Sequence, residues 1–361
     1  MAHLKADAMV GAIDRGARRG ALGRAVERLG THNFSLLIAL AVLIAIFGTL
    51  RPDVFFLLRN ILNIGQAIAI LGILATAQTI VIISGGLDIS VGAVVGMSTV
   101  CIALAVGWTG SPILSILFGV AVGAIAGIVN GLIITVGRIN AVIATLGTMA
   151  VFRGVAFIIS NGQSISIFDP AFRFIGDGRI FGVPVTISAL VVVVAIFFVL
   201  MRYTITGRNI YAIGGNPVVA RLAGLNVRAY QIGIYTLSGA TAGLAGMLLA
   251  ARTGSGQPIS GSEGLELEAI TAAVLGGCAL TGGKGTIIGG LLGVLIIGVL
   301  DNGLILTSVP TFFQMVAKGA LLIAAVIASS SSPSDPEIGW PDPVRAASSI
   351  PANPAVAPLR V

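Results

Sequence analysis

The chain has 361 residues, of which 56% are hydrophobic and 10% charged, with 49 glycines besides. Its mean hydropathy is +1.03. Soluble domains are about a quarter charged, so this composition excludes an ordinary soluble enzyme, a disordered chain and a disulfide scaffold, and it requires lipid as the solvent. The formal charge of +7 comes from 21 Lys and Arg against 14 Asp and Glu. Those basic residues sort by membrane side, so the excess reads as topology and no nucleic-acid partner is expected.

Residues 1–33 form a basic, Ala/Gly-rich segment without the apolar core and cleavage site of a signal peptide. Ten apolar stretches of roughly spanning length follow: 34–50, 61–83, 89–107, 112–136, 141–160, 185–203, 230–251, 266–281, 287–307 and 312–329. The third is weak, with Ser90, Gly92, Gly96 and Ser98 in it, and the eighth is short and glycine-interrupted, which suggests a broken or re-entrant segment. Residues 329–361 are rich in Ser and Pro and read as a disordered tail. The expected fold is an all-α polytopic membrane bundle over residues 34–328, with about ten transmembrane helices.

Orientation follows from the basic residues in the connections. With the N-terminus inside, fourteen fall on the inner side and five (Arg51, Arg59, Arg173, Arg179 and Arg252) on the outer side; Arg153 and Lys318 lie within spans. Ten spans then leave both termini cytoplasmic. The basic N-terminal segment and the tail are accordingly expected in the cytoplasm.

Gly119, Gly123, Gly127 and Gly131 recur every fourth residue, and Gly239 and Gly243 repeat the spacing. Helices in lipid associate over small residues that let backbones approach, so these stripes are packing faces or, alternatively, faces that slide. Asp301 and Lys318 are each 8.5 residues from the midpoint of the 308–311 turn. Regular helices put them at one depth, roughly 13 Å from that turn, and an intramembrane ion pair is predicted; the alternative has each facing water alone. Arg153 has no obvious local partner. Glu263, Glu266 and Glu268 crowd the outer start of the eighth span, as a surface for a basic partner or as solvated ends. Cys101 and Cys278 read as small buried hydrophobes.

The inner loop, about 204–229, carries Gly207-Arg208-Asn209-Ile210-Tyr211-Ala212-Ile213-Gly214-Gly215-Asn216-Pro217. Gly214-Gly215 breaks the preceding segment. Asn216 suits an N-cap and Pro217 a first helical position, and Gly224 fits the far end of a short helix over 218–223. That helix is a connecting turn or a docking knob for a cytoplasmic partner. An internal echo aligns residues 84–96 with 281–293 without gaps, and a weaker one aligns residues 130–135 (Asn130-Gly131-Leu132 onward) with 302–307 (Asn302-Gly303-Leu304 onward). Repeated halves are common in transporters.

Gly282-Gly283-Lys284-Gly285 superficially looks like a phosphate-binding loop. That pattern needs Gly where Cys278 stands and Ser or Thr where Gly285 stands. No HExxH, GxSxG or metal-ligand cluster occurs, and both histidines, His3 and His32, precede the first span. No catalytic residue or bound cofactor is expected.

These segments together resemble a family. Gly85-Gly86-Leu87-Asp88-Ile89-Ser90-Val91-Gly92, Ala144-Thr145-Leu146-Gly147-Thr148-Met149 leading to Arg153-Gly154, the 207–226 loop, Leu275-Gly276-Gly277 with Thr281-Gly282-Gly283-Lys284-Gly285, and Asn302-Gly303-Leu304 are similar, in order, to segments of the ribose-type ABC importer permeases. Asp301, where that family more often has Asn, and the Pro-rich tail are departures. The resemblance implies the membrane-spanning subunit of an importer for a monosaccharide or similar polyol, in the bacterial inner membrane. It implies a second permease copy or paralogue, cytoplasmic ATPase subunits that use the ATP, and a periplasmic or surface-anchored sugar-binding protein.

On that reading Arg208, Gly214, Gly215, Asn216, Ala220, Arg221 and Gly224 couple to the ATPase, and motion passes through the sixth and seventh spans. Asn63, Gln66, Asp88 and Asn130 are candidates for the substrate path. The alternative is a carrier driven by an ion gradient, for which Asp301, Lys318 and Arg153 would be the midplane groups. A non-transporting membrane scaffold is a third class.

Overall fold

The computed structural model describes residues 31–259 and 262–331. Most of the basic N-terminal segment and of the Pro/Ser-rich tail lies outside the described residues.

Fourteen helices occupy the described chain: α1 (Thr31–Leu50), α2 (Pro52–Phe55), α3 (Leu58–Ile83), α4 (Val91–Thr109), α5 (Pro112–Thr135), α6 (Ala141–Ser160), α7 (Pro170–Asp177), α8 (Val185–Tyr203), α9 (Ile205–Gly215), α10 (Pro217–Leu222), α11 (Val227–Thr253), α12 (Leu265–Leu275), α13 (Ile287–Leu306) and α14 (Thr311–Ser331). Eight of them are long and apolar enough to cross a membrane: α1, α3, α4, α5, α6, α8, α11 and α13. α14 adds a 17-residue apolar stretch, Thr311–Ile327.

The starts and stops follow local chemistry. Ser111, Asn140, Asp169, Thr204, Asn216, Asn226 and Thr286 each accept a backbone N–H of the helix they precede, which satisfies donors the helix cannot. α3 is the hub. Its side chains are buried from Ile68 to Ile83, and α4 is buried over most of its length. Helices α5, α6 and α8 carry exposed Leu, Ile, Val and Phe, such as Leu117, Ile143, Ile158 and Ile196. In a membrane these face hydrocarbon at little cost.

The glycine stripes lie on one contact. A Cβ built on Gly123 would strike the Gly239 carbonyl oxygen, one on Gly127 that of Tyr235, and one on Gly243 would lie 2.6 Å from that of Gly119. α5 and α11 therefore pack backbone to backbone.

The eighth stretch is broken, as its glycines suggest. Its helix, α12, has 11 residues and stops where Gly277, Gly282, Gly283 and Gly285 take φ of +90°, +87°, +74° and +146°. Only glycine enters that region readily, so the chain leaves the helix there. The missing half is supplied by irregular chain after Gly254. Gln257 N–H donates to Thr99 Oγ1 at 2.9 Å, and that hydroxyl donates to Gln257 O at 2.8 Å. Cβ atoms on Gly96 and Gly92 would strike Pro258 O and Glu266 Oε2. Non-helical backbone at this depth is tolerated because it lies against protein rather than lipid. Gly214-Gly215 ends a helix, as expected, and the inner loop holds two helices, α9 and α10.

At the end of the bundle away from α10, short strands tie connections together. β1 (Ile165–Ser166) pairs antiparallel with β4 (Ser255–Gly256), and β2 (Arg179–Ile180) with β3 (Val183–Pro184).

Candidate functional site

The α9–α10 hairpin projects from one end of the bundle. Asn216 Oδ1 accepts from Val218 N and Val219 N at 3.0 and 3.1 Å, and Pro217 occupies the first turn. Gly224, at φ +88°, ends the motif, with Leu225 N–H bonded to Ala220 O at 3.1 Å. Of the seven coupling candidates, Arg208, Gly215, Asn216, Arg221 and Gly224 are exposed. Gly214 and Ala220 are buried; Ala220 packs with Ile213 and Val227 in a small core of its own. Val218, Val219 and Leu222 are apolar yet exposed, Leu222 at 83%. They form an apolar tip flanked by Arg221.

α9 is held from behind. Asn209 Nδ2 donates to Tyr230 Oη of α11 at 2.6 Å, and Tyr211 Oη donates to Gly285 O at 2.8 Å. Burial raises the Tyr211 pKa above its usual range, so the phenol stays a donor. Sequence reasoning passed over Tyr211, because its partner is a backbone carbonyl 74 residues on.

A second cluster is buried beneath this hairpin, around the 84–90 turn between α3 and α4. Asp88 is 1% exposed. Its Oδ1 accepts from Ser90 Oγ and Ser90 N at 2.6 and 3.1 Å, and its Oδ2 accepts from Ser238 Oγ of α11 at 2.8 Å. Asn130 Nδ2 of α5 donates to Ser90 Oγ at 2.8 Å, and Thr148 Oγ1 of α6 donates to Asn130 Oδ1 at 2.6 Å. Tyr235 Oη donates to Leu87 O at 3.3 Å. Burial raises the Asp88 pKa, and the Ser90 and Ser238 hydrogen bonds oppose that shift. Nothing in the sequence singles out Ser238, because single hydroxyls in apolar helices usually bond their own backbone; Thr148 belongs to the 144–149 segment, but its partner Asn130 is set by packing.

The four substrate-path candidates separate. Asp88 and Asn130 meet through Ser90. Asn63 and Gln66 sit near the start of α3, about 30 Å along it from Ile83. Asn63 is exposed and Gln66 partly so. The Gln66 carbonyl accepts from Arg252 at 3.4 Å.

A third cluster is charged. Lys318 Nζ lies 2.8 Å from Asp301 Oδ2 and 2.7 Å from Glu268 Oε1. The hairpin of α13 and α14 brings the first two together, and α12 adds the third. Glu268 is therefore not part of an outer acidic surface. Nor is Glu266, which is 7% exposed and sits against Gly92. Glu263 alone of the three is exposed. No group of three metal-ligating side chains occurs among the described residues.

The segments of the stronger echo meet in space. A Cβ on Gly282 would lie 2.9 Å from Gly85 Cα, its counterpart in the echo, and Gly283 N–H donates to Ile83 O at 2.8 Å. The weaker echo does not meet. Asn130 joins the Asp88 cluster, whereas Asn302 exchanges two amide hydrogen bonds with Asn60, at 3.0 and 2.9 Å, near the start of α3.

The family model described as "Branched-chain amino acid transport system / permease component" matches residues 60–326. The ribose import permease protein RbsC of Escherichia coli K12 is 41% identical over 295 residues, 81% of this chain and 91% of its own length. RbsC of Bacillus subtilis is 42% identical over 292 residues, 80% of this chain and 90% of that protein. The L-arabinose ABC transporter permease protein AraH of Azospirillum brasilense is 38% identical over 316 residues, 88% and 91% of the two chains. No solved structure matches the chain.

Proposed function

The chain belongs to the ribose-type permease family of ABC importers, and from that premise we propose that it is the multi-pass inner-membrane subunit that carries a monosaccharide or similar polyol inward. Relatives named for ribose import and for L-arabinose and D-allose transport, at 37–41% identity over at least 80% of the chain, support the substrate class. These names outweigh the amino-acid wording of the family description, because they belong to relatives matched over most of their length at high identity.

The observation that carries the coupling half of this reading is the α10 tip. Val218, Val219 and Leu222 expose apolar surface at a bundle end, on a rigid, doubly capped turn. Exposed apolar groups rimmed by charge mark interaction sites. The positive-inside count puts this end in the cytoplasm, where an ATPase subunit would seat on it. The other end would receive a substrate-binding protein. A second permease copy or paralogue would complete the pore. ATP would be bound and hydrolysed by the partner, since Cys278 and Gly285 break the one phosphate-loop lookalike.

Co-expression with the neighbouring genes, followed by pull-down from detergent, tests this. A P-loop ATPase should be recovered with the tagged chain and lost when Leu222 is changed to Glu. An ion-driven carrier would instead be recovered alone, and its uptake would collapse under a proton ionophore at constant ATP.

A further inference from the structure

The 84–90 turn joins the back of α9 to the Asp88 cluster, alongside α11, and its two edges are built differently. At the α9 edge there are no side chains between three backbones. A Cβ on Gly214 would strike the Ile83 carbonyl oxygen and lie 2.7 Å from Gly283 N; one on Gly282 would lie 2.7 Å from Gly214 O; one on Gly283 would lie 2.9 Å from Gly215 Cα. Gly283 N–H donates to Ile83 O, and Tyr211 Oη to Gly285 O, both at 2.8 Å. Close-packed matter transmits displacement. A side chain could yield by changing rotamer, but a peptide against a peptide cannot. A shift of α9 therefore moves the Ile83–Gly85 end of the turn with it.

At the other edge the contacts are polar. Leu87 O accepts from Tyr235, and Asp88 accepts from Ser90 and from Ser238. Ser90 Oγ in turn accepts from Asn130, and Asn130 Oδ1 from Thr148. These partners stand on α11, α5 and α6. Hydrogen bonds to a buried carboxylate are directional and costly to leave unmade, so displacing Asp88 drags its partners or breaks the set.

We propose that the 84–90 turn is the transmission element of the transporter. Movement of α9 enters through the Gly85–Gly214–Gly282 junction, reaches Asp88, and is distributed by its hydrogen bonds to α5, α6 and α11. The inference rests on the reading of 204–229 as the ATPase dock. It makes Asp88, Asn130, Ser238 and Tyr211 positioning residues that touch neither sugar nor ATP. It also differs from transmission through α8 and α11 alone, in which the 84–90 turn would carry no motion.

The test uses the full transporter, permease with its ATPase and binding protein, in proteoliposomes. Tyr211→Phe and Ser238→Ala each remove one hydroxyl and little volume. Sugar uptake per ATP hydrolysed is measured in both single variants and in the double, with ATPase stoichiometry checked on the same preparations. The expected result is full ATPase occupancy, a loss of roughly fivefold or more in each single variant, and a double variant no worse than the worse single. Two hydroxyls on one path are non-additive. Single variants that transport like wild type, or losses that multiply in the double, overturn the proposal and leave the docking reading standing. A wild-type preparation that holds no ATPase overturns the docking reading and the proposal with it.

Discussion

Gly123 and Gly239 face each other so closely that a Cβ on either would strike the carbonyl oxygen of the other. Both neighbouring atoms are backbone, so neither can move aside. A Gly239→Val substitution should cost about 3 kcal/mol or more, the upper end for an overpacked core, and should lower the thermal midpoint in detergent. Gly147→Ala serves as control, since nothing lies within 4 Å of a Cβ there.

Lys318 holds two carboxylates, Glu268 and Asp301, together. Lys318→Met leaves them facing each other unpaired. The side chains keep 24–29% of their exposure, so the loss should be on the order of 2 kcal/mol, below the ~3–5 kcal/mol of a fully buried pair. Adding Glu268→Gln and Asp301→Asn to Lys318→Met should recover most of it. A triple variant no more stable than the single would refute the charge argument.

The buried Asp88 gives a pH signature. Burial raises its folded pKa above the ordinary 3.8, so the folded state favours the protonated form. Its favourable contribution is complete below that ordinary value and is lost as pH rises through the raised folded pKa. The thermal midpoint of wild type should therefore fall relative to that of Asp88→Asn as pH rises. A constant difference between pH 4 and 8 would contradict this.

Asn216 caps α10 with two hydrogen bonds. Asn216→Ala should cost about 1 kcal/mol of local stability and reduce ATPase recovery in part, whereas Leu222→Glu should abolish recovery with the thermal midpoint unchanged. Separate measurement of midpoint and recovery distinguishes a lost cap from a lost contact.

Much of the fold was legible because lipid imposes a one-dimensional rule. A span needs a long apolar run, so α1, α3, α5, α6, α8 and α13 stand near their expected bounds. The α13–α14 hairpin was legible too, because two helices around a short turn fix which residues share a depth; that arithmetic brings Asp301 to Lys318. Asn216, Pro217 and Gly224 marked α10 because capping is local chemistry.

What the sequence could not give was any contact set by chain returning from far away. Glu268 completes the Lys318 cluster from 50 residues off, and Ser238 reaches Asp88 across 150. Its glycines mark the eighth stretch as broken, yet only packing against α4 decides that irregular backbone supplies the other half. Apolar pattern reports which residues avoid water. It does not report which backbones touch, because close approach of glycines leaves no side chain to read. The sequence by itself determined a membrane bundle with a capped helix at one end. The tertiary structure alone decided that the glycines behind that helix press on the turn that carries Asp88.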